Sequence, residues 1–124
     1  MRCMEENMKF TVSLKQNHVF RRLYAKGKNQ VTPHLALYAR KNGGPASRLG
    51  ITVSTKLGHA VVRNRVRRRL REIYRIHEDQ FLPGYDIVVV ARVRSVYAKF
   101  EELERSFLKA ARSLELLCTE ETPL

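Results

Sequence analysis

Seven of the thirteen residues from Arg63 to Arg75 are arginine, and none is lysine. A guanidinium is planar and permanently charged, so it can clamp a phosphate with two parallel hydrogen bonds or stack on a base. Wound into a helix, this segment places Arg67, Arg71, Asn64, Arg75, Arg68 and Arg65 on the side opposite Val62, Val66 and Leu70. Like charges at i,i+3 and i,i+4 cost about 0.2–0.5 kcal/mol per pair. Glu72 is the one acid at hand to offset them, with Arg68 its expected partner. Such a helix is poorly arranged for its own stability and well arranged for a polyanion. Each phosphate neutralised releases counterions, so affinity is expected to fall steeply with salt.

A second set of residues suits the bases rather than the backbone of a nucleic acid. Phe20 and Tyr24 lie one helical turn apart, and Tyr38 stands beside Arg40. Single-stranded bases stack on rings flanked by cations, at roughly 1–3 kcal/mol per base. Aromatics at helical spacing also build cores, so the pattern alone leaves both readings open. Residues that could hydrolyse a phosphodiester are missing. Metal-dependent nucleases gather carboxylates around two cations, whereas residues 7–77 contain Glu72 as their single acid, and His18, His34, His59 and His77 have no paired spacing. Cys3 and Cys118 show neither metal spacing nor a disulfide framework and are expected to be free thiols in a reducing cytoplasm.

Charge is segregated along the chain. Of the 124 residues, 7–77 hold seventeen Lys and Arg against one acid, while 78–124 hold six against nine. The formal net charge is +12. Concentrated positive potential points to nucleic acid or an anionic membrane surface. The membrane reading is the weaker one, because Val62, Val66, Leu70 and Tyr74 are needed for the core of so small a domain and cannot also face lipid. The longest apolar run, Ile87–Ala91, is far too short to span a bilayer, which takes roughly 20 residues. Met1 to Phe10 has no apolar centre of the kind a secretory signal carries. Met1–Asn7 has no structural pattern, which makes Met8 an alternative start.

The elements that must position these residues follow from periodicity. Ser13-x-x-Gln16 fits a capping box opening a first helix, with Val19, Phe20, Leu23 and Tyr24 on one face and Gly27 as its stop. Leu35–Arg40 and Leu49–Ser54 alternate as strands and are expected to pair as a hairpin across Asn42-Gly43-Gly44-Pro45, with a further short strand near Val31. His59 to about His77 reads as the long arginine helix. Tyr85–Arg92, apolar on both faces, reads as the central strand. Lys99–Leu117 reads as the last helix, with Phe100, Leu103, Phe107, Ala110, Ala111 and Leu114 inward. One α+β domain over residues 13–117 results, flanked by flexible segments at 1–12 and 118–124.

With these residues assembled, the chain resembles the bacterial ribonuclease P protein family over Leu14 to Leu117. The most specific portion runs from Arg48-Leu-Gly-Ile-Thr-Val-Ser-Thr-Lys56 through Gly58-x-Ala-Val-Val-Arg63-Asn64-Arg65 to Arg71-Glu72. The resemblance implies αβββαβα order, a four-stranded sheet with helices packed on it, and a left-handed crossover, as in a ribosomal-protein-like fold. It implies an accessory role: a large RNA subunit with Mg²⁺ removes the 5′ leader of precursor tRNA, and the protein assists. Lys56, Arg63, Asn64, Arg65, Arg67, Arg68 and Arg71 would contact RNA, while Phe20, Tyr24, Tyr38 and Thr52 would line a cleft for the single-stranded leader. Arg92 is a further candidate. The implied partners are the catalytic RNA and precursor tRNA, with no membrane and no obligate protein partner. The implied location is cytoplasmic. Thr55 stands where many members carry Lys, and His59 where Asn or Lys is common; either could shift affinity. The competing reading is a structural ribosomal or other general RNA-binding protein, although such proteins usually carry long basic tails and the tails here are near-neutral or acidic.

Overall fold

The computed structural model describes Thr11–Ser13, Arg21, Tyr24, Ala25, residues 27–44 and residues 46–117. Its strands are β1 (Thr11–Ser13), β2 (Lys28–Val31), β3 (Leu35–Lys41), β4 (Ser47–Thr52) and β5 (Tyr85–Ala91), and its full helices are α1 (Ala60–His77) and α2 (Phe100–Ser113). Arg21, Tyr24 and Ala25 have helical backbone, within the span expected for the first helix. Ser13 closes β1, and Gln16 of the expected capping box lies outside the described residues. So do Phe20, Cys3, Cys118 and the tail 118–124.

The sheet runs β1-β4-β5-β3-β2. Four strands carry it, as expected, and the three-residue β1 adds a fifth at one edge by pairing parallel to β4, Thr11 opposite Ser47. β1 includes Thr11 and Val12, which fall in the segment expected to be flexible. A second correction concerns the hairpin. β3 and β4 do not pair; β5 lies between them, antiparallel to β3 and parallel to β4. Ile87, Val88 and Val89 are fully buried, so this strand must be covered on both faces and on both edges, and it takes the centre. The chain from β3 to β4 instead passes over the start of β5, where Asn42 donates its backbone N–H to the Gly84 carbonyl at 2.8 Å. The hairpin that does form joins β2 to β3.

Helix α1 is the crossover between parallel neighbours β4 and β5, and it starts and stops where the sequence indicates. Val66, Leu70, Ile73 and Tyr74 are buried, with Val62 half-buried at the first turn. Each such side chain contributes about 1.5–3 kcal/mol by leaving water. They pack with α2 against the sheet face bearing Leu35, Leu37, Leu49, Ile87 and Val89, and Tyr74, Phe81 and Phe107 close that core, Tyr74 and Phe81 with ring centroids 4.8 Å apart. The last helix ends four residues before the expected Leu117. Glu115 adopts φ +60°, the Leu116 N–H reaches the Ala111 carbonyl at 2.9 Å and the Glu115 N–H reaches that of Arg112 at 3.0 Å. This is a Schellman stop, and it turns Leu116 and Leu117 into the core, where Leu117 bridges to Phe81.

Candidate nucleic-acid interface

Between β4 and α1 the chain makes one tight turn, Thr55–Leu57, which sets the entry angle of the arginine helix. Ser54 Oγ accepts the Lys56 N–H at 3.1 Å, leaving the Lys56 side chain in solvent, and Thr55 is exposed beside it. Gly58 then adopts φ +142°, where a Cβ would press on Val62 at 3.3 Å. His59 is the N-cap of α1 by backbone only; its imidazole makes no capping bond.

The arginines of α1 divide into two groups. Four are held. Arg63 Nε donates to the Gly58 carbonyl at 3.2 Å, Arg67 donates to Asn64 Oδ1 at 3.0 Å, Arg69 donates to the Ala98 carbonyl at 3.1 Å, and Arg75 grips Glu72 with Nε at 3.0 Å. Arg65, Arg68 and Arg71 are exposed and have no hydrogen bond or ion pair among the described residues. Glu72 therefore pairs with Arg75, not with the expected Arg68. An acid N-terminal to its cation is the better-oriented helix pair, and Arg68 precedes Glu72. The hydrogen bonds from Arg75 hold the Glu72 carboxyl below its ordinary range. The helix's one acid is thus consumed at its C-terminal end, and among the described residues no acid pairs with the cations nearer the Lys56 turn.

The second surface is the sheet face away from α1 and α2. Alternation places Tyr38, Thr52 and Arg92 on it, with Gly50, Val88 and Tyr38 in one cross-strand row and Thr52, Val90 and Ala36 in the next. Tyr24 covers this face from the first helical segment, its ring meeting Tyr38 edge to face at a centroid distance of 4.9 Å. Tyr24 remains 41% exposed, whereas Tyr38 and Thr52 are half-buried. Arg92 donates to the Thr32 carbonyl at 2.9 Å, so it is fastened at the β2–β3 turn while remaining exposed. The structure thus brings Tyr24, Tyr38 and Thr52 to one face and sets Asn64, Arg65, Arg68 and Arg71 on a separate helix, with Lys56 exposed in the turn before it.

Arg40, which the sequence sets beside Tyr38 as a flanking cation, is exposed on the same side of β3. Arg48, within the motif, serves the fold. Its two hydrogen bonds to Asp86 raise its pKa above the usual arginine value. Among the described residues no three His, Cys, Asp or Glu side chains gather into a metal-binding group, and no helix is long and apolar enough to cross a membrane.

The family model for Ribonuclease P matches residues 8–115. This chain belongs to the ribonuclease P protein family. The ribonuclease P protein component of Clostridioides difficile is 41% identical over 107 residues, covering 86% of this chain and 94% of that one. That of Natranaerobius thermophilus is 35% identical over 106 residues, covering 86% and 92%. Among solved structures, the RNase P protein of Staphylococcus aureus superposes with a TM-score of 0.79 at 30% identity over 86% of this chain and 97% of that one. The RNase P protein of Thermotoga maritima does so with a TM-score of 0.72 at 32% identity, over 78% and 92%. The α+β fold and the arginine helix described above are therefore those of an RNase P protein.

Proposed function

We propose that this RNase P protein acts as the RNA-gripping subunit of an enzyme whose catalyst is RNA. One observation carries the reading: Arg65, Arg68 and Arg71 stand exposed and without a partner among the described residues, on a helix whose single acid is taken by Arg75. Three guanidiniums exposed on one flank suit an external polyanion, and a structured RNA supplies phosphates that they can clamp. Lys56, Arg63, Asn64 and Arg67 extend this flank toward the first turn. The aromatic face, with Tyr24, Tyr38 and Thr52 and with Phe20 assigned by resemblance, takes the unpaired 5′ leader of precursor tRNA by stacking, which tolerates any base. Arg92 lies at the end of that face and would meet the leader backbone. Cleavage of the phosphodiester, and the Mg²⁺ it uses, belong to the RNA subunit; the protein contributes binding and charge neutralisation. The expected location is the cytoplasm, where precursor tRNA is made.

Reconstitution tests this directly. The purified chain alone cleaves no precursor. Added to an RNase P RNA, it lowers the Mg²⁺ concentration required for cleavage and tightens binding of leader-bearing precursor over mature tRNA. Identical Mg²⁺ dependence and identical precursor affinity with and without the protein would sink the proposal.

A further inference from the structure

A cavity of about 410 Å³ lies between the outer strand β2, the β2–β3 turn and one face of α2, a size ordinary for small-ligand sites. It is separate from both surfaces above. α1 packs at the β4 side of the sheet, whereas β2 is the opposite edge, three strand spacings or about 14 Å away. The helical wall comes from Glu102, Arg105, Ser106 and Lys109, whose spacing puts them on one face of α2. The opposing wall includes Val31, which is 51% exposed, Pro33 and His34.

The chemistry of this lining is specific. Arg105 and Lys109 are exposed and have no hydrogen bond or ion pair among the described residues. Glu102, the one acid, is engaged elsewhere, accepting the Lys99 backbone N–H at 2.9 Å in the cap of α2. His34 Nδ1 and Ser106 Oγ sit 2.7 Å apart, joining the turn to the helix and presenting an imidazole and a hydroxyl to the cavity. The turn is rigid. Thr32 is buried, its Oγ1 accepts the Leu35 N–H at 3.1 Å, and its carbonyl accepts from Arg92. Two free cations, a hydroxyl and an imidazole beside a small apolar wall match a phosphate attached to a flat, partly apolar group.

We infer that this cavity binds a nucleotide unit, with its phosphate between Arg105 and Lys109 and its base against Val31 and Pro33. The inference rests on the RNA-binding reading only for the natural source of that unit. Arg92 links the two regions, because a strand leaving the aromatic face at Arg92 reaches the Thr32–His34 turn next. The same chemistry would accept a free nucleotide.

The test uses the full chain followed by amide NMR, titrated with AMP, with adenosine and with a single-stranded tetraribonucleotide. AMP is expected to shift the amides of His34, Ser106 and Lys109, and adenosine is not. Arg105→Gln with Lys109→Gln should weaken AMP binding about tenfold, the scale of losing a charge-assisted hydrogen bond, while Lys28→Gln with Lys41→Gln, exposed at the far end of the same hairpin, leaves it unchanged. If the tetranucleotide moves the same amides, an RNA strand is the source; if only AMP does, it is a free nucleotide. Shifts confined to other regions, equal response to adenosine, or full affinity in the Arg105/Lys109 variant overturns the site. A hexaglutamate peptide moving these amides where AMP does not would overturn it in favour of a protein partner. Binding of RNase P RNA to the wild-type chain, measured in parallel, reports on the broader function separately.

Discussion

Arg48 meets Asp86 side-on across the junction of β4 and β5, with Nε 2.8 Å from Oδ1 and Nη2 2.7 Å from Oδ2. Asn42 adds a third donor to Oδ1 at 3.0 Å, from the loop that crosses the start of β5. One nearly buried carboxylate thus ties together the two parallel strands and the connection between β3 and β4. Asp86→Ala removes the shared acceptor and leaves three donors without it. Because the Arg48 side chain is 37% exposed, solvent screening reduces the loss to about 2 kcal/mol. Urea unfolding checks it, and a midpoint unchanged from wild type would contradict this role for Asp86.

The same loop makes Gly84 costly to replace. Its φ of +83° suits glycine, and a Cβ there would sit 2.9 Å from the Gly44 carbonyl oxygen, a backbone atom with little freedom to yield. Gly84→Ala is therefore expected to cost about 2 kcal/mol, left-handed strain and clash combined. Gly43→Ala, at φ +76° but with nothing within 4 Å, should cost about half as much. Equal midpoints for the two variants in thermal melts would show that the clash is absent.

Helix α2 offers a change in the opposite direction. Glu115 occupies the left-handed position of the Schellman stop and places a negative charge at the negative end of the helix dipole. Glu115→Gly relieves both and should stabilise the domain by about 0.5–1 kcal/mol, even after glycine's greater freedom in the unfolded chain is counted. Calorimetry that finds a lower melting temperature would refute this account of the stop.

What could be read from the sequence follows the range of the forces involved. The boundaries of α1, its buried stripe and the central place of Tyr85–Arg92 depend on local periodicity, and all were legible. Pairing between strands depends on partners distant in the chain and is not legible locally: Leu35–Arg40 and Leu49–Ser54 look like a hairpin until β5, thirty residues on, is inserted between them. β1 escaped notice because three residues carry no usable alternation. The end of α2 was overextended because Leu116 and Leu117 continue the apolar content while turning off the helix axis. Of the surface residues, the exposed arginines were legible from their number, but which of them the fold ties down was not. Arg69 reaches a carbonyl at Ala98, 29 residues away, and nothing in their spacing announces it.

The Glu72–Arg75 pair predicts a sign for acid sensitivity. Hydrogen bonds from Arg75 lower the Glu72 pKa below its ordinary value of 4.5. The folded state then favours the ionised form, so the stabilisation is present above the ordinary pKa and is lost as pH falls through the folded one. Both side chains are more than a third exposed, so screening keeps the effect to a few tenths of a kcal/mol, roughly the worth of a surface helix pair. Carbon-detected NMR titration should place the Glu72 carboxyl midpoint below that of free glutamate, and Arg75→Gln should return it to the ordinary value. A midpoint insensitive to Arg75→Gln would remove Arg75 as the cause.

The two surfaces of this RNase P protein also predict a division of labour. Arg65→Ala with Arg68→Ala deletes two exposed charges that the fold does not use, so the melting temperature should hold or rise as repulsion along α1 is relieved. If both meet phosphates, the dependence of log affinity for the catalytic RNA on log salt should become shallower by up to about 2, roughly 0.7–0.9 for each phosphate that is no longer neutralised. Tyr24→Ala with Tyr38→Val removes the edge-to-face ring pair at 4.9 Å while keeping a strand-forming side chain in β3. This second variant should keep the salt slope of RNA assembly and lose about 2 kcal/mol of preference for leader-bearing precursor over mature tRNA, the scale of one stacked base. The measurement is a filter-binding series over salt for both variants with the catalytic RNA, followed by precursor and mature tRNA competition on the assembled enzyme. If the arginine variant loses leader preference while the aromatic variant loses salt slope, the assignment of α1 to the catalytic RNA and of the sheet face to the leader is reversed.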